Sequence, residues 1–391
     1  MDRFASSKVR SFGTSVFAEM SRLATEHDAV NLGQGFPDFA GPEFAKEAAK
    51  RAIDADLNQY AISHGHPRLR RAIATAYGSR YGHEIDAERE ITVASGATEV
   101  IFDAIQAFVG PGDELIAFEP FYDSYAAATT LAGGEFKPLR LRAPDWSFDP
   151  DELRALITPR TRVLLLNTPH NPTGKIFTRA ELDIISALAI EHDLLVLADE
   201  VYDRILYHGA EHIPIAHLPG MWERTLSINS TGKTFSMTGW KVGYATGPAP
   251  LNAALRAVHQ FVTFATATPF QEAMAEAIEY AETSDYYAQL AAEYDERRIL
   301  LARALSEADY DVFPIAGSYF LMADVADRGF DSDVAFCRWL VSEVRIAAVP
   351  PSAFYLNPDT APLHARFCFA KRTDTLLEAA SRLKSSMSAA H

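Results

Sequence analysis

The chain has 391 residues, 48% of them hydrophobic, and a formal charge of −16 at pH 7. That length suits two domains with ample apolar material for a core, and the negative balance, with no basic cluster against it, excludes nucleic acid and anionic membranes as charge-held partners. No apolar run is long enough to span a bilayer, residues 1–10 carry charges without an apolar signal core, and Cys337 and Cys368 lie in helical and strand-like patterns that predict buried reduced thiols. A cytoplasmic protein is expected.

In chain order, residues 17–24 predict a short helix and residues 31–39 a loop able to lie over a site. Between about 42 and 282, apolar strands alternate with amphipathic helices, the pattern of a mostly parallel sheet covered on both faces. Residues 91–94, 163–166, 194–198 and 225–230 read as strands there, with turns at Pro111-Gly112-Asp113, Pro144-Asp145 and Pro248-Ala249-Pro250. Beyond Ser284 a long charged helix through Tyr294 and Arg298 to Leu305 leads to a second group: strands at 319–323, 346–349 and 366–369, and a closing helix at 373–387.

The ends of these strands carry the chemistry. Asp199-Glu200-Val201-Tyr202 follows the apolar run 194–198, at the edge where open α/β sheets bind ligands. A carboxylate there can pair with a protonated pyridine nitrogen. Asn171, in Asn167-Thr168-Pro169-His170-Asn171-Pro172-Thr173-Gly174, is placed to donate to a ring oxygen from a backbone stiffened by prolines. Ser95-Gly96-Ala97-Thr98-Glu99 joins a strand to a helix and exposes backbone N–H groups to an anion. Lys233, in Ser230-Thr231-Gly232-Lys233, has the small flexible setting that suits a Schiff-base amine, with Lys241 close enough in sequence to hold a phosphate.

Each feature alone has a plainer reading. Lys233 could be a surface charge, the Ser95 turn a helix cap, Arg366 a strand-edge charge with a packed stem, and Tyr122 or Tyr125 a core aromatic. His64, His66 and His170 lack metal-ligand spacing, so no metal site is expected.

Taken together, Asn171-Pro172-Thr173-Gly174, Asp199-Glu200-Val201-Tyr202, Ser230-Thr231-Gly232-Lys233 and Arg366-Phe367-Cys368-Phe369 resemble the class I/II aminotransferases of fold type I, which use pyridoxal 5′-phosphate. The resemblance covers nearly the whole chain. Asn31-Leu32-Gly33-Gln34-Gly35-Phe36-Pro37-Asp38-Phe39 and Thr238-Gly239-Trp240-Lys241-Val242-Gly243-Tyr244 look like the branch of kynurenine/glutamine and methionine-preferring aminotransferases.

The resemblance implies roles. Lys233 carries the cofactor and moves the proton at Cα; Asp199 pairs with the ring nitrogen; Asn171 and Tyr202 bind the phenolic oxygen. Ser230, Lys241 and the turn Gly96, Ala97 and Thr98 hold the phosphate, Tyr122 stacks on the ring, and Tyr60 reaches the phosphate from a partner subunit. Arg366 clamps the substrate carboxylate in a fork that suits a guanidinium, beside Asn171, Gly35 and Phe17. It further implies a large domain at 42–283, a small α+β domain built from 1–41 and 284–391, and a homodimer with shared sites.

The expected reaction is ping-pong transfer of an amino group from a neutral L-amino acid to a 2-oxo acid. By resemblance the side-chain pocket is lined by Ser15-Val16-Phe17, Gly35-Phe36 and residues 60–65 and 264–268, which hold no arginine or lysine; His64, if protonated, or Arg68 could supply that charge. Phe17 and Ala267 stand where the kynurenine branch has tryptophan and histidine, which counts against kynurenine itself. Alternatives are a cysteine-conjugate β-lyase, a succinyldiaminopimelate aminotransferase and, least supported, a non-catalytic effector-binding domain.

Overall fold

The structure, a computed structural model, describes residues 4–10, 12–13 and 16–388, the last two by backbone alone. A seven-stranded sheet runs in the order Ile91–Ala94, Gly243–Thr246, Thr225–Ser230, Leu195–Asp199, Thr161–Asn167, Glu114–Glu119, Glu135–Arg140. The pairings among the last five are parallel, and both made by Gly243–Thr246 are antiparallel. This is the expected mostly parallel sheet, and the burial pattern says why. Along Thr161–Asn167, Val163 and Leu165 pack towards Ile101 and Ile105, whereas Leu164 and Leu166 pack towards Leu182 and Ile185. Helices on both faces demand apolar side chains at every position of such a strand, not only at alternate ones.

Helix Tyr286–Glu307 leads to a three-stranded antiparallel sheet, His364–Cys368 beside Phe320–Asp324 beside Asp311–Val312. Both longer strands begin and end within two residues of their predicted limits, and Met322 pairs with Arg366. Arg366 therefore sits inside a strand and not at its start. Ile346–Ala347 lies outside this sheet and pairs in parallel with Val30–Asn31, a short strand whose second residue falls in the predicted loop 31–39. That pairing, with Leu32 N donating to Ala347 O at 2.9 Å and Cys368 N to Leu32 O at 2.7 Å, stitches the N-terminal segment to the C-terminal region.

Met20, Ala24 and Leu32 accordingly share one core with Leu321, Phe336 and Leu376. Helix Val16–Glu26 covers the predicted 17–24, and Thr373–Ser388 the predicted closing helix. Cys337 and Cys368 are buried and free. Among the described residues no helix is long and apolar enough to cross a membrane.

Candidate active site

Asn167 and Asp199 end neighbouring parallel strands in register, and Ser230 ends the next one, so three polar residues reach the same sheet edge together. A cavity of about 340 Å³ lies over that edge. Asp199, Tyr202, Ser230 and Lys233 line it, together with Gly96, Ala97 and Thr98 from the start of helix Ala97–Phe108 and Phe17, Gly35 and Arg366 from the two ends of the chain. Asn171, Tyr122 and Lys241 also face it.

Lys233 stands on the single turn Thr231–Thr234 that follows strand Thr225–Ser230. Its Nζ donates to Tyr319 Oη at 2.9 Å. Burial lowers the amine's pKa from 10.5 to about 8, so roughly a tenth of it is neutral at pH 7. Asp199 shows the opposite effect. Burial raises its carboxyl to about 6, although Tyr125 Oη donates to Oδ2 at 2.5 Å and Val201 N to Oδ1 at 3.3 Å.

Arg366 is 1% exposed. Its Nη1 donates to Asn171 Oδ1 at 2.9 Å and its Nη2 to Gly33 O at 3.0 Å, while Nε has no hydrogen-bond partner among the described residues. The guanidinium carbon lies 4.0 Å from the centre of the Phe320 ring, 5.0 Å from Phe354 and 5.2 Å from Phe17. Burial lowers the guanidinium's pKa to about 10, a strain that a bound carboxylate relieves. Because Asn171 Oδ1 already accepts from Arg366, its Nδ2 is the group left to donate. The Asn171 backbone is held in turn by Asn167 Oδ1 at 2.7 Å.

Helix Ala97–Phe108 starts at Gly96 without a side-chain cap, so its first N–H groups face the cavity. Two glycines make the turn possible. Gly96 has φ 85°, and a Cβ there would lie 3.0 Å from Lys241 Nζ. On the next strand a Cβ at Gly243 would fall 2.3 Å from Ala97 N, so only glycine lets the turn approach the sheet this closely.

These features fit pyridoxal 5′-phosphate. Asp199 is a buried carboxylate held only by neutral donors, which calls for a cation such as a protonated ring nitrogen. An uncapped helix N-terminus beside Lys241 and Ser230 suits a phosphate. Lys233 lines the same cavity and supplies the amine.

Tyr60 is the expected site residue that the fold does not bring to this cavity: it is 83% exposed and packs edge-on against Phe264 at 5.3 Å. Residues 60–65 and 264–268 likewise contribute nothing to the lining within one chain. Burial lowers His64 to about 4, and Arg68 is engaged by Glu272 and Glu279, so neither offers a charge here. Ser15 lies outside the described residues. Among those residues, Glu99, Asp103 and His259 bring ligand-type atoms within 4.8 Å of one another. Both ring nitrogens of His259 are used, Nδ1 by Glu99 at 2.9 Å and Nε2 by Ser63 O at 2.8 Å.

The sequence reading gave no role to several polar residues in or behind the site, Tyr319, Tyr125 and Asn167 among them. Tyr125 is the second residue of helix Ser124–Ala132 and Tyr122 lies just ahead of that helix, so the two tyrosines could have been read together. Asn167 ends a recognised strand. Nothing local marks Tyr319.

Residues 27–383 match the family described as aminotransferase class I and II. The chain is 43% identical to the methionine aminotransferase of Escherichia coli, over 97% of each sequence. It is 40% identical to kynurenine–oxoglutarate transaminase 3 of Mus musculus, covering 94% of this chain and 87% of that one. The solved N-succinyldiaminopimelate aminotransferase of Mycobacterium tuberculosis superposes with a TM-score of 0.93 at 43% identity, over 97% of this chain and 99% of that one.

Proposed function

Because this chain belongs to the class I and II aminotransferases, pyridoxal 5′-phosphate enzymes of fold type I, we propose that it transfers the amino group of a neutral, elongated L-amino acid to a 2-oxo acid by a ping-pong route. The observation that carries the substrate class is the inventory of cations on the cavity wall. Lys233, Lys241 and Arg366 are the only lysines and arginines among the described lining residues. The reaction itself requires all three, for the amine, the phosphate and the substrate's α-carboxylate. A donor with a second carboxylate would bury it without a partner, at a cost of several kcal/mol. Phe17, Phe36, Tyr122 and Phe320 instead offer apolar surface to a side chain such as that of methionine, glutamine, leucine or an aromatic amino acid.

Bound in this cavity, the cofactor supplies an electron sink that acidifies the substrate's Cα–H and carries the amino group between donor and acceptor. Asp199 keeps the ring nitrogen protonated, and Tyr125 and Val201 keep the carboxylate aimed at it. Asn171 and Tyr202 donate to the phenolic oxygen. Ser230, Lys241 and the N–H groups of Ala97 and Thr98 hold the phosphate. Arg366 turns from Gly33 O to the substrate carboxylate, its plane kept by the surrounding rings. Lys233 Nζ, neutral in part at physiological pH, takes the proton from Cα and returns it. Phe17 and Phe36 screen the reacting atoms from water.

The same reading divides the chain at 42–283, with 1–41 and 284–391 forming the smaller unit; the core shared by Met20 and Leu376 supports it. It also makes the enzyme a cytoplasmic homodimer. Tyr60, Ile62, Phe261 and Phe264 are 83%, 52%, 86% and 47% exposed, an apolar surface that suits a second copy and would bring Tyr60 to its phosphate.

A panel of amino donors with one fixed 2-oxo acid tests the substrate class by kcat/KM. Methionine, glutamine and phenylalanine should lead. Aspartate, glutamate or succinyldiaminopimelate ahead of them by tenfold or more, about 1.4 kcal/mol, would overturn the neutral pocket.

A further inference from the structure

We infer that Tyr319 is the residue that aims the Lys233 amine at the reacting atoms and ties it to the loop at residues 33–36. The inference rests on Lys233 being the reacting amine. Tyr319 Oη accepts from Lys233 Nζ at 2.9 Å and donates to Gly35 O at 2.6 Å. A phenol has one proton to give, and a carbonyl oxygen can only accept. With that proton committed to Gly35 O, Tyr319 meets the amine with a lone pair, and one of the amine's own N–H bonds must point towards it. The nitrogen lone pair is then left unquenched for the cavity. Were Gly35 O elsewhere, the hydroxyl could turn and donate to the amine, occupying the electrons that capture an aldehyde or take a Cα proton.

Packing holds the hydroxyl in this place. The Tyr319 ring is fully buried, stacked on Tyr294 at 5.9 Å and 19°, and edge-on to Tyr202 at 5.0 Å and 83°. Burial also raises the phenol's pKa well above 10, so the proton that the chain of bonds needs stays in place.

Gly35 is one of four consecutive residues whose carbonyls are all taken. Arg366 holds Gly33 O at 3.0 Å, and Lys371 Nζ holds Gln34 O at 3.2 Å and Phe36 O at 2.9 Å. When a substrate carboxylate draws Arg366 away from Gly33 O, the Tyr319 bond to Gly35 keeps the loop, and with it the amine's acceptor, in register. Tyr319 is therefore a positioning residue that acts through Lys233.

The test is Tyr319→Phe in the full-length holoenzyme, which removes the hydroxyl and keeps the ring. The rate at which the Cα proton of methionine exchanges in D2O, followed by NMR, should fall about 10- to 100-fold, with KM changed less than about threefold. The pH midpoint of the bound cofactor's absorbance should move by about half a unit to one unit, the equivalent of one hydrogen bond. Tyr294→Phe, which deletes a hydroxyl bonded to Ser236 at 3.2 Å and away from the amine, should move neither. Parental exchange and midpoint in Tyr319→Phe, or the same changes in Tyr294→Phe, would overturn the inference. Borohydride reduction and peptide mapping of the parent separate the two readings: cofactor fixed at another lysine refutes Lys233 as the reacting amine, whatever Tyr319 does.

Discussion

Arg366 Nη1 lies 2.9 Å from Asn171 Oδ1, joining side chains 195 positions apart within one buried network. The bond orients both. The guanidinium presents its remaining donors to the cavity, and the amide is turned so that Nδ2 points away from Arg366. On the proposed roles, substrate anchoring by Arg366 and control of the cofactor by Asn171 would meet at this one hydrogen bond, yet they should fail in different ways.

Arg366→Lys exchanges a fork for a point charge. We expect kcat/KM for methionine to fall about 10- to 150-fold, corresponding to ~1.5–3 kcal/mol, chiefly through KM. Asp199→Ala should instead lower kcat by about 100-fold or more and leave KM close to the parental value. Steady-state kinetics over the same donor panel separate the two, and an unchanged kcat/KM for every donor in Arg366→Lys would remove its assigned role.

Lys233→Ala should abolish turnover without loss of fold. In the parent, the rate at which cofactor-free protein captures pyridoxal 5′-phosphate should rise with pH and level off above about 8, because only the deprotonated amine has a lone pair and burial has lowered its pKa to that value. Stopped-flow absorbance follows the capture. A rate still climbing steeply at pH 10 would mean that the amine is an ordinary exposed lysine.

His259 governs an alkaline limit. Burial alone would lower its pKa, but the carboxylates of Glu99, 2.9 Å from Nδ1, and Asp103, 3.5 Å from it, outweigh burial and raise it from 6.5 to about 9. A group whose folded pKa is raised contributes stability that is complete below about 6.5 and lost as pH climbs through about 9. Glu99 Oε2 accepts from Ser95 N at 2.5 Å, so the loss falls under the turn assigned to the phosphate. The thermal midpoint of the holoenzyme should decline between pH 7 and pH 10, and decline less in His259→Gln, which has no charge to lose. Parallel curves for the two proteins would show that His259 is not the group responsible.

Much of the site was legible because its chemistry sits at strand ends. An apolar strand followed by Asp199, or by Asn167 and Asn171, announces both the element and the sheet edge to which its polar residues are delivered. Lys233, Ser230 and Lys241 follow from one short segment for the same reason. The turn after Ile91–Ala94 could be read because a helix N-terminus needs small residues wherever a ligand or a neighbouring strand comes close.

What only the tertiary structure decided involves groups that meet across long chain separations. Local pattern placed Arg366 at a strand's beginning; pairing with Met322 put it inside the strand, and the closing of the N-terminal segment by Val30–Asn31 brought Gly33 O to it across 333 positions. Tyr319 reads locally as one more aromatic, at the start of a strand. Its hydroxyl acquires a role only because Lys233 and Gly35, 86 positions and 284 positions away, arrive on either side of it. Sequence periodicity specifies which face a residue takes and so which residues are buried, but the direction of a hydrogen bond depends on the partner that packing supplies, and these partners come from distant parts of the chain.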